Sequence, residues 1–249
     1  MGPISSLCVN PTPSQPFIFN HAIPSDDRMA SEAGEGSTAG MDDYETLIST
    51  TDVELLKKAW RNEKAAPEIL RFETSLIQRI RGQIQLMEEN IEEFAGSGID
   101  PLTVSLYQMD LDRTQYLFRS YLRIRLQKIE KYMFHISKNP EVQSRLSEQE
   151  KGFAIRCADD MERHLEESVL SKLPDNYQDI VKQSIISEES DMIPEPQLDS
   201  FVVCKSRRFL GPFQLDGSDE LLEMKPDELC IIHYKSIRER VQEGDIDLV

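Results

Sequence analysis

Between Pro101 and Pro140 the chain runs without a glycine or a proline, and this uninterrupted stretch constrains the fold more than any other feature. Residues 100–138 read DPLTVSLYQMDLDRTQYLFRSYLRIRLQKIEKYMFHISK. Asp100 is a good N-cap residue, and Pro101 falls at the first helical position, where a missing N–H costs nothing. The pattern predicts one helix of roughly 57 Å at 1.5 Å per residue. Its apolar residues follow two lines. Leu111, Phe118, Leu122, Ile129, Met133 and Ile136 make one; Leu106, Met109, Leu117, Tyr121 and Ile124 make the other. A helix apolar on two faces expects cover on both. The same helix carries seven Lys/Arg against three Asp/Glu, in a chain of net charge −17. Its cations either snorkel to water beside a packed face or meet another protein chain.

The acidic balance argues against a stand-alone nucleic-acid binder, which replaces counterions with clustered positive surface. The four cysteines (Cys8, Cys157, Cys204, Cys230) lack metal-ligand spacing and read as reduced thiols. No apolar run approaches the ~18 residues of a membrane span, and no basic-then-apolar leader opens the chain, so a soluble intracellular protein is expected.

Residues 1–50, rich in Ser, Gly, Pro and acids, are expected to be disordered. Met29 offers a second possible translation start. The acidic and apolar residues Asp42, Asp43, Leu47 and Ile48 end this segment, either as a run-in to the first helix or as a short motif that docks on a partner.

Folding is expected over residues 51–186 as an α-helical domain. Thr51 and Glu54 form a capping box for the first helix, and Pro67 kinks or restarts it. A second helix is predicted over 72–94, ended by Gly96-Ser97-Gly98. Ser147 and Glu150 form another capping box, opening a helix that ends before Pro174. A short helix over 176–185 completes the expected bundle. Residues 187–199 read as an acidic, proline-stiffened linker. Residues 200–249 read as a small β-rich domain, with strands near 201–204, 209–215, 221–224, 229–234 and 246–249 and a helix over 235–243. The fold class expected is mainly α, a helical bundle followed by a small β-rich domain. About fifty residues make a marginal core, so the second domain should lean on the bundle or on a partner.

The chemistry of common active sites is missing. There is no G-x-x-x-x-G-K-[ST], no G-x-G-x-x-G, no G-x-S-x-G, and the four histidines are isolated from one another. No catalytic, cofactor-binding or metal residues are assigned, and a non-enzyme is expected.

Five blocks in fixed order carry a family likeness: AWRNEKAAPEIL, YQMDLDR, YLRIRLQKIEKYMFH, PEPQLDSFVV and a terminal GDIDLV. Over residues 42–249 the chain resembles the Sld-five (subunit four) family of the GINS complex of eukaryotic DNA replication. The resemblance implies a non-catalytic scaffold in a heterotetramer with the three other GINS subunits. It also implies a nuclear location, association with the Cdc-forty-five protein and the MCM ring in the replicative helicase, no cofactor, and no membrane contact. Contact with DNA would be indirect. Tyr116, Tyr121, Ile124 and Phe134 are then expected to pack within the bundle or against a sister subunit. Arg119, Arg123, Arg125, Lys128 and Lys131 are expected to pair with acids there. Ile246 and Leu248 are expected to dock on a partner or on the bundle, and residues 42–48 to recruit a replisome adaptor. A helical adaptor outside replication, homodimeric through the long helix, is the alternative; the apolar spacing does not hold strict heptads. Direct single-strand binding by the basic helix is a third reading, and it needs exposed aromatics beside exposed cations.

Overall fold

A computed structural model describes residues 51–186, 192–215 and 221–249. The candidate motif at Asp42, Asp43, Leu47 and Ile48, part of the predicted linker and residues 216–220 lie outside them. Helix α1 spans Asp52–Ala65. Thr51 accepts the Glu54 N–H through its hydroxyl at 3.4 Å, and Asp52 and Glu54 place negative charge where the first-turn N–H groups point. Pro67 ends this helix outright. Ala66, which precedes it, is extended (φ −67, ψ 136), as the clash with a following proline ring dictates.

Helix α2 spans Thr74–Gly96 and α3 Pro101–Lys138, joined by a turn in which Gly98 takes φ +75. That left-handed conformation favours glycine. Three differences from the expected long helix appear. Asp100 makes no side-chain cap bond. Tyr132 departs from helical geometry (φ −113, ψ 21), so the last turns of α3 are kinked although no proline or glycine is near. Pro140–Ser144 form a further short helix, α4, capped by the Asn139 side chain on the Glu141 N–H at 3.1 Å.

Helix α5 spans Glu148–Ser168 and starts with the expected box. Ser147 Oγ accepts the Glu150 N–H at 3.3 Å, and Glu150 Oε2 accepts the Ser147 N–H at 2.9 Å. The helix predicted over 176–185 does not form. Only the single turns Leu170–Lys172 and Asp175–Tyr177 follow α5. Ile185 and Ile186 are exposed, and so short a helix has no stability without a face to bury.

The C-terminal part holds β1 (Phe201–Ser206), β2 (Leu210–Gln214), β3 (Leu221–Met224), β4 (Leu229–His233), helix α6 (Tyr234–Glu243) and β5 (Ile246–Leu248). Strand β1 is central between β4 and β5, antiparallel to both; β2 and β3 form a separate antiparallel pair. The alternation in β1 is clean: Val202, Cys204 and Ser206 face inward, while Phe201 and Val203 face out. The inward side chains meet Ile237 and Val241 of α6, with Met224, Ile246 and Leu248 in the same core. Gly244, at φ +83, closes α6 and turns the chain into β5. Cys157, Cys204 and Cys230 are free thiols, and burial pushes Cys204 up to about 12.

This small core is not independent of the helices. Ala65, Ala66 and Leu70 pack into it, the Leu248 N–H donates to Asn62 Oδ1 at 2.8 Å, and Lys58 pairs with Asp247 at 2.7 Å.

Candidate functional site

The break at Pro67 sets up the chemistry at the centre of the molecule. Residues 66–73 run without regular structure, so the carbonyls of Glu68, Ile69 and Leu70 lie outside any helical ladder. Buried cations answer them. Arg125, wholly buried, donates to the Leu70 carbonyl at 2.8 Å; Lys128 donates to the Glu68 carbonyl at 2.7 Å and Arg145 to that of Ile69 at 3.3 Å. The charges are then balanced by acids. Arg125 grips Glu150 in a two-pronged bond at 2.7 and 3.0 Å and meets Glu63 at 2.9 Å. Lys128 donates to the other Glu63 oxygen at 2.9 Å. Burial works against the Arg125 charge, yet Glu150 and Glu63 outweigh it and hold the guanidinium above its ordinary range. For Lys128 burial wins, and its ammonium is held below its ordinary range despite Glu63.

Glu68 extends this network to the C-terminal part. It accepts from Tyr234 at 2.9 Å, from Arg238 at 2.7 and 2.8 Å, and pairs with Arg145 at 2.9 Å. Burial alone would raise the Glu68 carboxyl; Arg238 and Arg145 overcome it and leave it below the usual value of 4.5. Burial first, then Glu68 itself, raises the Tyr234 hydroxyl. The network is a structural staple joining α1, the 66–73 connector, α3, α5 and α6.

The chain itself already engages several of the residues expected at a partner interface. Arg125 and Lys128 satisfy acids and carbonyls of their own chain. Tyr121 is buried between Leu56, Leu76, Ile77 and Ile80, with the Phe72 ring 6.4 Å away. Ile246 and Leu248 are buried in the C-terminal core, into which Ala65, Ala66 and Leu70 also pack, and the Leu248 main chain bonds Asn62 of α1. Tyr116, Arg119, Arg123 and Lys131 are exposed, and Ile124 and Phe134 are half-buried. The Lys131 ammonium lies 5.0 Å from the Tyr132 ring centre. Glu68, Arg145, Tyr234 and Arg238 escaped the sequence reading; the signal was Pro67, since a buried broken helix end demands donors.

The exposed apolar residues concentrate on the distal part of α2 and α3. Leu102, Leu106, Met109 and Tyr116 lie at helical spacing on one stripe of α3, with Leu102 67% and Tyr116 64% exposed. One turn further along the same stripe, Ser120 accepts a hydrogen bond from the Trp60 indole at 2.9 Å, and from there α1 provides cover. Leu86 of α2 is also exposed. The distal tip is tied by Phe94 and Tyr107, whose ring centres are 5.3 Å apart. The two long helices thus project beyond the start of α1 as an arm with an apolar stripe. Among the described residues no cluster of His, Cys, Asp or Glu suits a metal, and no helix is long and apolar enough to cross a membrane.

Residues 76–169 match the model of the GINS complex protein helical bundle domain, and residues 196–249 match that of the DNA replication complex GINS protein SLD5 C-terminus. The chain is 57% identical to the DNA replication complex GINS protein SLD5 of Arabidopsis thaliana, over 89% of this chain and 100% of that protein. The chain belongs to the SLD5 family. Family members of the same printed name in Mus musculus and Dictyostelium discoideum are 30% and 31% identical, over 87% and 83% of this chain and 96% and 98% of theirs. The SLD5 matches span the bundle and the strands alike, so the staple and the arm both lie within the family region.

Proposed function

We propose that this chain is a non-catalytic scaffold subunit of a heterotetrameric GINS complex in the nucleus, with the three other GINS subunits as its immediate partners. In this reading the complex joins the Cdc-forty-five protein and the MCM ring in the replicative DNA helicase, for initiation and fork progression, and contact with DNA is indirect. The relatives' names supply the complex. The observation that carries the scaffold role is the apolar stripe of Leu102, Leu106, Met109 and Tyr116, open to solvent on a projecting arm. Monomers rarely leave so continuous an apolar surface uncovered, and a stable interface takes about 800 Å² from each partner. A sister helix laid along the stripe would continue the cover that α1 begins at Ser120. The exposed Arg123 and Lys131, with half-buried Ile124 and Phe134 beside them, would meet acids and apolar groups of that partner at its edge. Residues 42–48 are proposed to recruit a replisome adaptor, a role separate from assembly.

The test is co-expression with the three sister subunits. Leu106→Asp with Met109→Asp should abolish co-purification while the chain itself stays folded. Full assembly of that variant would sink the assignment of the stripe. Deleting residues 1–50 should lose the adaptor and keep the tetramer.

A further inference from the structure

A second surface of the arm has a different chemistry. On α3, Gln115, Phe118 and Arg119 lie on another flank from the Met109–Tyr116–Ser120 stripe, since each residue turns the helix by about 100°. With Gln78, Arg81, Gly82, Ile84, Gln85 and Glu88 of α2 they line an open groove of about 680 Å³. Ile84 and Phe118 are half-buried and give the groove its apolar floor. Gly82 notches one wall, where an added Cβ would meet no atom within 4 Å. Glu88 is engaged by Gln115 at 2.7 Å. The lips are cationic: Arg81 and Arg119 are exposed, and Arg119 donates to Gln115 at 2.9 Å. Among the described residues neither arginine has a carboxylate partner, although the chain carries 45 Asp/Glu against 28 Lys/Arg. A groove with an apolar floor and two unneutralised guanidinium lips fits a short segment in which acids alternate with bulky apolar side chains.

The chain holds such a segment close by. Residues 42–48, DDYETLI, carry Asp42, Asp43 and Glu45 beside Tyr44, Leu47 and Ile48. The described chain begins at Thr51, and Asp52 is fixed on α2 by Arg79, at 2.9 and 3.1 Å. Arg79 adjoins the groove residue Gln78 in sequence and lies one turn before Gly82. The four or five residues from Asp52 back to Ile48 or Leu47 span up to about 13–18 Å, and the ten back to Asp42 up to about 33–36 Å, against a helix diameter of about 10–12 Å. We propose that the groove between α2 and α3 binds residues 42–48 of the same chain, with Arg81 and Arg119 pairing with the acids and Leu47 or Ile48 resting on Ile84 and Phe118. Docked in this way, the segment is open to an adaptor only when the groove releases it. The inference does not depend on the tetramer reading, because the contact forms within one chain.

Site-specific photo-crosslinking of the full chain tests it. Gln78→p-benzoylphenylalanine places the probe on the groove wall, and equal amounts of ¹⁴N and ¹⁵N chain separate contacts within a chain from contacts between chains. The expected product is an intrachain crosslink to residues 42–48, located by fragmentation within the tryptic peptide of residues 29–57. Arg81→Glu with Arg119→Glu should remove it, and adding Asp42→Arg with Asp43→Arg should restore it, now on the peptide of residues 44–57, because the new arginines add tryptic cleavage sites. The restoration separates charge pairing from misfolding. A crosslink between chains, one to any other peptide, no crosslink, or no restoration would overturn the proposal.

Discussion

The two ends of helix α3 invert the usual rule. At one end the helix buries Arg125 whole and Lys128 in part, whereas around Leu102, Leu106 and Tyr116 it exposes large apolar side chains. The difference lies in the neighbours. At the buried end the proline-broken connector presents orphan carbonyls, and Glu63 and Glu150 present charge, so a guanidinium is the group that satisfies both. At the exposed end α1 has not yet begun, and nothing among the described residues covers the stripe. The same helix thus holds its own chain together at one end and offers itself to another chain at the other.

Arg125→Met breaks this contrast most severely. It leaves Glu63 and Glu150 buried and short of a partner, and a loss of roughly 3–5 kcal/mol is expected in chemical denaturation. A loss under about 1 kcal/mol would mean that the staple is incidental. Glu68→Gln sharpens the comparison by weakening the link to the C-terminal part together with the Arg145 pair, with a loss of roughly 1–3 kcal/mol at neutral pH. Its pH dependence has a definite sign. The folded carboxyl titrates below its ordinary value of 4.5, so its contribution is present above that pH and fades as pH falls through the lower folded value. The stability difference between the parent chain and Glu68→Gln should therefore shrink below about pH 4.5; a difference that grows on acidification would refute the assigned direction.

At the other end the same measurements should be nearly silent. Leu106→Asp with Met109→Asp should change the stability of the isolated chain by no more than about 0.5 kcal/mol while removing assembly. A large stability loss would show that the stripe already has cover inside the chain. Smallest of all is Arg163→Ala, whose pair with Asp160 at 3.4 Å is exposed on both sides; about 0.5 kcal/mol or less is expected in thermal unfolding.

The elements were largely legible in the sequence because their signals are local. The Ser147–Glu150 box, Pro101, Pro67 and Gly244 each act within a few residues. The alternation from Phe201 to Ser206 marks both the strand and its inward face. The partners of the cations were not legible. Arg119, Arg123, Arg125, Lys128 and Lys131 look alike in the sequence, and what draws Arg125 inward lies at Glu63, Leu70 and Glu150, far along the chain. In the sequence the second apolar line runs continuously from Leu106 to Ile124. The structure divides it, because α1 and α2 bury Tyr121 and leave Leu106 and Met109 exposed. The kink at Tyr132 has no sequence signal that we can identify.

Native mass spectrometry of the tagged chain, purified from its own cells, tests the central claim most directly. The account predicts a one-to-one-to-one-to-one assembly with three further chains, and its loss when Leu106 and Met109 are both changed to Asp. A homodimer, or a monomer without partners, would contradict it.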